Sequence, residues 1–444
     1  MTSPPAAEPH PWGRALAWLL FLAPFFFITY GLANWVAAQR ANVPALVFGW
    51  ERALPFWAWT IVPYWSIDAL YGLSLFVCTS RRELDTHAKR LLTAQLVAVA
   101  FFVAIPHRFS FERPVANGIF GTMFDLLMGF DRPFNQIPSL HIALAVILWA
   151  LYARKVNGLA RILLDLWFML IGASVLTTYQ HHFIDIPTGL LLGWLCVWLW
   201  PFAEGGVHEP VSAWRWTTDP ARHRLAIFYA LGALACLAIA LATGGWGLWL
   251  AWPALALALV ALCYAGVGAA GFQKGDDGRL SVAARWLFAP YLAGAWLNSR
   301  WWTRRNPAPV PVCDGVWIGR IPSSRDLRDS TFTGVVDLAA ELGLAHGNKD
   351  LAVVPVLDLT TPAPQALAEA ATAIERLRMR GPVLVCCALG YSRSACAVAA
   401  WLLATGRCAT VAVALAKLRD ARAQVVLGAP HVAALHTIRV HDHP

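Results

Sequence analysis

The chain has 444 residues, 58% hydrophobic and only 14% charged, with 23 tryptophans and a mean hydropathy of +0.53. Soluble domains carry about 25% charged residues, so this composition excludes a disordered chain, a collagen-like chain and an ordinary soluble globule, and points to an integral membrane protein with room for two or three domains. The net charge of +9 reads as the Lys/Arg bias of cytoplasmic loops rather than as a nucleic-acid surface.

A helix crossing the hydrocarbon core needs about 20 apolar residues. The candidates are Arg14–Arg40, Leu54–Thr79, Leu91–Pro106, Leu140–Tyr152, Ile162–Tyr179, Ile186–Phe202, Leu225–Thr243 and Trp246–Ala270, the last two joined by Gly244-Gly245. The apolar core of the first is too long for a signal peptide and predicts a retained anchor. One set of loops carries Arg81, Arg82, Lys89 and Arg90, then Arg154, Lys155 and Arg161, then Arg215, Arg222 and Arg224, then Lys274 and Arg279. The opposite set carries Arg40, Arg52, Arg108, Arg113 and Arg132. The richer set is expected to be cytoplasmic, with both termini inside. Ser281–Trp302, interrupted by Arg285, reads as one interfacial helix.

Past Arg304-Arg305-Asn306-Pro307 the charge returns. Val335–Leu338, Leu351–Leu357 and Val383–Cys386 read as strands, and Gln365–Arg380, Ser394–Ala404 and Thr410–Ala423 as helices. That alternation predicts a compact α/β domain. The expected organisation is N-terminal spans (1–90), a membrane core (91–205), further spans with a linker helix (206–306) and the α/β domain (307–444).

Within that domain, Cys387-Ala388-Leu389-Gly390-Tyr391-Ser392-Arg393-Ser394 places a cysteine at the end of an apolar strand, a short loop after it, and an arginine opening a helix. Backbone N–H groups of such a loop, with Gly390 and Ser392 in it, form a cradle for a phosphate dianion. The Arg393 fork grips two phosphate oxygens, and the same field favours a thiolate that attacks phosphorus. This pattern resembles the cysteine-dependent phosphatases of the protein-tyrosine and dual-specificity type. The resemblance, over about Pro309 to Leu435, implies Cys387 as nucleophile, Arg393 as phosphate binder and Ser394 as the hydroxyl that helps the thiolate leave. It also implies Asp358 as general acid, at the spacing of the smaller dual-specificity branch. The family usually has a histidine before the nucleophile. Here it is Cys386, which opens three alternatives: a raised Cys387 pKa, a strained Cys386–Cys387 disulfide, or an inactive domain. A thiolate enzyme needs a reducing compartment, which agrees with a cytoplasmic domain.

In the membrane half, Pro138-Ser139-Leu140-His141 and Gln180-His181-His182-Phe183-Ile184-Asp185 stand at span ends. On a helix, His181 and Asp185 would share a face, and the carboxylate would fix the tautomer of His181. These residues resemble the phosphatidic acid phosphatase type 2 superfamily, more closely its inositol phosphorylceramide synthase branch, over roughly Leu91 to Leu199. The resemblance implies a six-helix core with His181 as nucleophile, Asp185 as its orienting carboxylate, His141 as acid and Arg113 in phosphate binding. The family's first-motif lysine falls at Pro106, and the arginine before its nucleophile falls at Val175. His182 and His107 read as interfacial anchors, and Asp68 as a residue that either pairs inside the bundle or lines the site.

The fold class expected is thus a polytopic all-α membrane domain of about eight spans followed by an α/β cysteine-phosphatase domain. The function expected is a bifunctional phosphatase of the bacterial inner membrane, with a periplasmic histidine site, a cytoplasmic cysteine site, and no metal or cofactor. Phospholipids or lipid-linked phosphates are the expected partners, with phosphoproteins a second class and no nucleic acid. The alternative is a headgroup phosphotransferase carrying a regulatory or phosphoprotein-directed phosphatase domain.

Overall fold

The computed structural model describes residues 8–129, 131–202 and 210–438. The chain divides into two compact units, Met1–Phe202 and Ala203–Pro444.

The first unit is helical: α1 (Trp12–Ala38), α2 (Ile61–Val77), α3 (Arg81–Ala104), α4 (Gly118–Met128), α5 (Leu140–Tyr152), α6 (Gly158–Thr177) and α7 (Asp185–Leu199). α3 starts where Ser80 accepts a hydrogen bond from the Glu83 N–H, and α5 where Ser139 accepts from Ile142; each serine satisfies an amide that the helix leaves unpaired. α5 packs on α7 through Gly189 and Gly193. A Cβ at Gly189 would stand 2.5 Å from the Ser139 carbonyl, and one at Gly193 2.8 Å from the Ala143 carbonyl. Small residues one turn apart let the two backbones meet, and this brings the start of α5 beside the start of α7.

The second unit begins with α8 (Pro210–Ala213) and an apolar hairpin of α9 (Pro220–Thr243) and α10 (Ala251–Leu262). The turn between them uses Gly244 and Gly245, both with positive φ. Among the described residues, six helical segments are long and apolar enough to cross a membrane, while Leu140–Tyr152 and Asp185–Leu199 are shorter apolar helices. Ser281–Trp302 is not one helix. It breaks into α11 (Val282–Leu287) and α12 (Ala289–Trp302), because Pro290 has no N–H to continue α11 and suits the first turn of a new helix.

The remainder is β1 (Val310–Cys313), β2 (Val316–Arg320), α13 (Ser324–Arg328), β3 (Gly334–Ala339), β4 (Asp350–Val356), α14 (Pro364–Arg378), β5 (Val383–Cys387), α15 (Arg393–Ala404), α16 (Val411–Ala421) and α17 (Ala429–His436). The strands form one sheet in the order β1-β2-β5-β3-β4, antiparallel only between β1 and β2. One face is buried under α14, α15 and α16, with Val336, Val385, Ile374, Val398 and Leu418 in its core. The other face, with Val335, Leu384 and Cys386, packs with Leu342, Leu344 and Ala295 of α12. β5 sits at the centre, buried along its whole length, and delivers Cys387 to the C-terminal edge of the sheet.

Candidate active sites

At the end of β5 the chain turns sharply around the Cys387 thiol. The Gly390 N–H donates to Sγ at 3.3 Å, and the Ser394 hydroxyl lies 3.3 Å from the same sulfur. Gly390 has φ +76°, and a Cβ there would stand 2.4 Å from the Gly319 carbonyl carbon, so only glycine lets the loop close against β2. Arg393 opens α15 and is 2% exposed. Its two terminal nitrogens donate to both Glu341 oxygens at 2.8 and 2.7 Å, and further to the Val356 carbonyl and Asp358 Oδ1, each at 2.8 Å. The fork–fork pairing with Glu341 fixes the guanidinium plane. Asp358 stands on the loop after β4. Burial pushes its carboxyl above the usual carboxylate range, with Arg393 pulling the other way. Burial also pushes Glu341 up, but Arg393 more than offsets it and holds that carboxyl below its ordinary value. Two carboxyls whose proton affinities are pushed in opposite directions therefore share the same arginine.

The structure brings Cys387, Gly390, Arg393, Ser394 and Asp358 together. Ser392 reaches the loop, but its hydroxyl lies 3.0 Å from His431 Nε2, which leaves its backbone rather than its side chain for an anion. Cys386 and Cys387 are both free thiols. Consecutive strand residues point to opposite faces, so Cys386 lies on the far face beside Asp337, its register partner on β3, and the pair has no geometry for a disulfide. Burial, reinforced by Asp337, pushes the Cys386 thiol well up.

Two residues around this site escape the sequence reading. Glu341 lies in an unpatterned loop, and only the structure shows it beside Arg393. Lys274, counted among the cytoplasmic loop charges, has a fully buried side chain. Its ammonium donates to Asp337 at 2.5 Å and to the Ala339 and Leu342 carbonyls at 2.6 and 2.7 Å. A buried ammonium requires such partners, and β3 and the loop after it supply all three.

In the first unit, His181 and Asp185 do meet, His181 Nδ1 lying 3.0 Å from Asp185 Oδ2, but not on a helical face. His181 sits in the turn before α7, where its N–H donates to the Val175 carbonyl, and Asp185 is the first residue of α7. The same Oδ2 accepts from the His182 N–H at 2.9 Å. Because a carboxylate only accepts, Nδ1 donates to Asp185, and Nε2 lies 3.2 Å from the Ser139 hydroxyl. His141 is stacked on Tyr64, with ring centroids 4.1 Å apart, and its Nε2 is buried without a hydrogen-bond partner among the described residues. His141 and His181 line one cavity with Tyr30, Tyr64, Asp68, Asp131 and Asn135. Asp131 accepts from the Tyr30 hydroxyl at 2.9 Å; it carried no sequence signal beyond being a loop carboxylate.

Arg113 spends Nε and Nη2 on the Thr178 and Tyr179 carbonyls, each at 3.1 Å. It clamps the turn that carries His181 and is not among the residues lining the cavity. His182 is not an interfacial anchor. It is 2% exposed, 3.0 Å from Glu51 through Nδ1, and accepts the Ser110 N–H at Nε2. His107 keeps its Nδ1 by the Ile105 carbonyl.

A family model for the dual specificity phosphatase, catalytic domain, matches residues 317–440. Among solved structures the chain is similar to Tk-PTP in its active form, at 27% identity and a TM-score of 0.27, over 30% of this chain and 97% of that one. It is similar to human DUSP28, at 24% identity and 0.27, over 30% and 93%, and to PTPMT1 in complex with PI(5)P, at 17% and 0.26, over 28% and 89%. A comparison with curated proteins found no match. Residues 317–440 are a dual specificity phosphatase catalytic domain, and the chain is a phosphoric monoester hydrolase.

Proposed function

We propose that the chain is a membrane-embedded phosphatase with two independent sites, a cysteine site in the C-terminal domain and a histidine site in the first unit, both directed at lipid phosphates. The observation that carries the cysteine reading is the convergence of Ser394 and the Gly390 N–H on the Cys387 sulfur beneath an arginine shared by Glu341 and Asp358. A phosphate dianion displaces Asp358 from Arg393 and takes the loop N–H groups. The Cys387 thiolate then attacks phosphorus, the bond from phosphorus to the ester oxygen breaks, and Asp358 gives its proton to that oxygen. Asp358, now a carboxylate, takes a proton from water, whose oxygen attacks phosphorus. The sulfur–phosphorus bond breaks, and the Ser394 hydroxyl donates to the departing thiolate.

For the histidine site, the reading is that His181 Nε2 attacks phosphorus, Asp185 holds the imidazole, and His141 protonates the leaving oxygen. Arg113 and Val175, at or near the positions of the resemblance's phosphate-binding groups, leave the described cavity lining without an arginine or lysine. Its two carboxylates, Asp68 and Asp131, suit the hydroxyls of an alcohol acceptor. That observation favours a second reading of this site as a headgroup phosphotransferase. The apolar helices, the positive loops and the apolar hairpin ahead of the catalytic domain support a multi-pass protein of a bacterial inner membrane. In this arrangement the cysteine site is cytoplasmic and the histidine site periplasmic.

Purified full-length protein, its Cys387→Ser variant and its His181→Ala variant, assayed on a panel of lipid phosphates with and without an alcohol acceptor, test both readings. Free phosphate that depends on Cys387 supports the first. A new phosphodiester lipid that depends on His181 supports the transferase. Full activity in both variants overturns the assignments.

A further inference from the structure

Three loops surround the Cys387 thiol, and each is held by a side chain from outside the matched residues 317–440. We infer that the segment from Tyr264 to Ser299 positions the catalytic loops of the cysteine site, with Tyr264, Lys274 and Ser299 as positioning residues; this rests on the roles given above to Cys387 and Asp358.

The first loop follows β5. Ser299, fully buried on α12, donates its hydroxyl to the Ala388 carbonyl at 2.6 Å. In a trans peptide the carbonyl and the next N–H point in opposite directions. Holding the Ala388 carbonyl toward α12 therefore turns the Leu389 N–H the other way, away from α12. That amide is part of the loop proposed to cradle phosphate.

The second loop carries Asp358. The Tyr264 hydroxyl donates to the Asp358 carbonyl at 2.9 Å. The next residue, Leu359, has φ +55°, a conformation that L side chains rarely adopt and that persists only when neighbours over-determine it. Tyr264 supplies such a neighbour. It is itself braced by Tyr229, the two rings stacked at 5.4 Å, and Tyr229 in turn meets Tyr291 at 5.8 Å. The third loop carries Glu341. The Lys274 ammonium bonds the Ala339 and Leu342 carbonyls on either side of it, and so fixes the carboxylate that holds Arg393.

The Tyr264 and Ser299 contacts act on different steps, which makes the inference testable. Tyr264 bears on the proton donor, and proton donation matters most when the leaving oxygen is basic. In full-length protein, Tyr264→Phe removes one hydroxyl and keeps the ring. It is expected to lower kcat/KM about tenfold for an alkyl phosphate and less than about twofold for a nitrophenyl phosphate, the scale of one lost hydrogen bond. Ser299→Ala bears on anion binding. It is expected to weaken inhibition by orthovanadate about threefold to tenfold and to raise KM equally for both substrates. Asp358→Asn serves as the reference and is expected to show the same leaving-group selectivity as Tyr264→Phe, more strongly. If Asp358→Asn lacks that selectivity, the acid assignment fails and the inference falls with it. If Asp358→Asn shows it while Tyr264→Phe leaves both substrates unchanged, or lowers both equally with the melting temperature, the inference alone is overturned. Should Tyr264→Phe not fold, unchanged vanadate inhibition in Ser299→Ala overturns it.

Discussion

As proposed, the two sites set a nucleophile beside a phosphate with opposite economies of sequence. In the cysteine site eight consecutive residues carry the nucleophile, the anion loop and the arginine, because a strand that ends in a tight turn before a helix places all of them within one loop. In the proposed histidine site His181 comes from a turn before α7, Asp185 is the first residue of α7, and His141 comes from α5. Charge differs as well. Arg393 faces the thiol with two acidic partners, whereas Arg113 gives two of its donors to the turn behind His181. A compact motif thus specifies its own electrostatics, and a dispersed one depends on packing contacts such as Gly189 against Ser139.

The largest expected effect tests whether the sites are independent. Cys387→Ser should lower hydrolysis at the cysteine site on the order of 10⁴-fold or more while any His181-dependent product persists, and His181→Ala should do the reverse. Loss of both products in either single variant would join the two regions into one catalytic unit and end the comparison.

Next in size is stability. Glu341→Ala leaves the buried Arg393 with one carboxylate partner in place of two. Breaking a buried ion pair typically costs about 3–5 kcal/mol, to be read as a shift in the denaturant midpoint. Asp85→Ala, which breaks the exposed pair with Arg14, should move it far less, because solvent screens that pair. Equal shifts would mean that Glu341 is not what holds the arginine.

A third effect is on pH. Asp358 must hold its proton to serve as acid, and burial keeps its carboxyl protonated above the usual carboxylate range. Activity on alkyl phosphates should therefore persist past the ordinary aspartate pKa and fall as pH rises through the elevated one. Asp358→Asn should remove that fall and lower kcat about 100-fold. A basic limb that survives in the asparagine variant would assign it to another group.

How much of this was legible in the sequence follows the same division. The catalytic strand, its loop and the three large helices of the C-terminal domain were readable because period-2 and period-3.6 patterns are local. β1 and β2 were not, since Pro311 and Gly319 interrupt short strands that are held by long-range pairing, β2 on β5 and β1 on β2. Glu341 carried no signal and Lys274 counted only as a loop charge, because their burial depends on partners far along the chain. The helical spacing of His181 and Asp185 suggested the right contact for the wrong reason. Four residues span one helical turn, but here a turn ahead of α7 brings the same two side chains together.

The smallest expected effect compares the hydroxyls that attend the two nucleophiles. Ser394 Oγ lies 3.3 Å from Cys387 Sγ, and Ser139 Oγ lies 3.2 Å from His181 Nε2. In the proposed mechanism Ser394 serves the departure of the thiolate, so Ser394→Ala should slow only the second chemical step, by about tenfold, the worth of one hydrogen bond of roughly 1–1.5 kcal/mol. The Gly390 N–H still donates to the sulfur and limits the loss. A rapid burst of aryl alcohol, equal to the enzyme present and followed by slow turnover, is the signature to look for; equal slowing of burst and steady state would sink the assignment. Ser139 has a second duty, because its hydroxyl also accepts the Ile142 N–H and caps α5. Ser139→Ala should therefore lower stability by about 1 kcal/mol as well, whereas Ser394→Ala should leave the melting temperature nearly unchanged. The same substitution at matched distances then separates a hydroxyl that serves chemistry alone from one that also holds its helix.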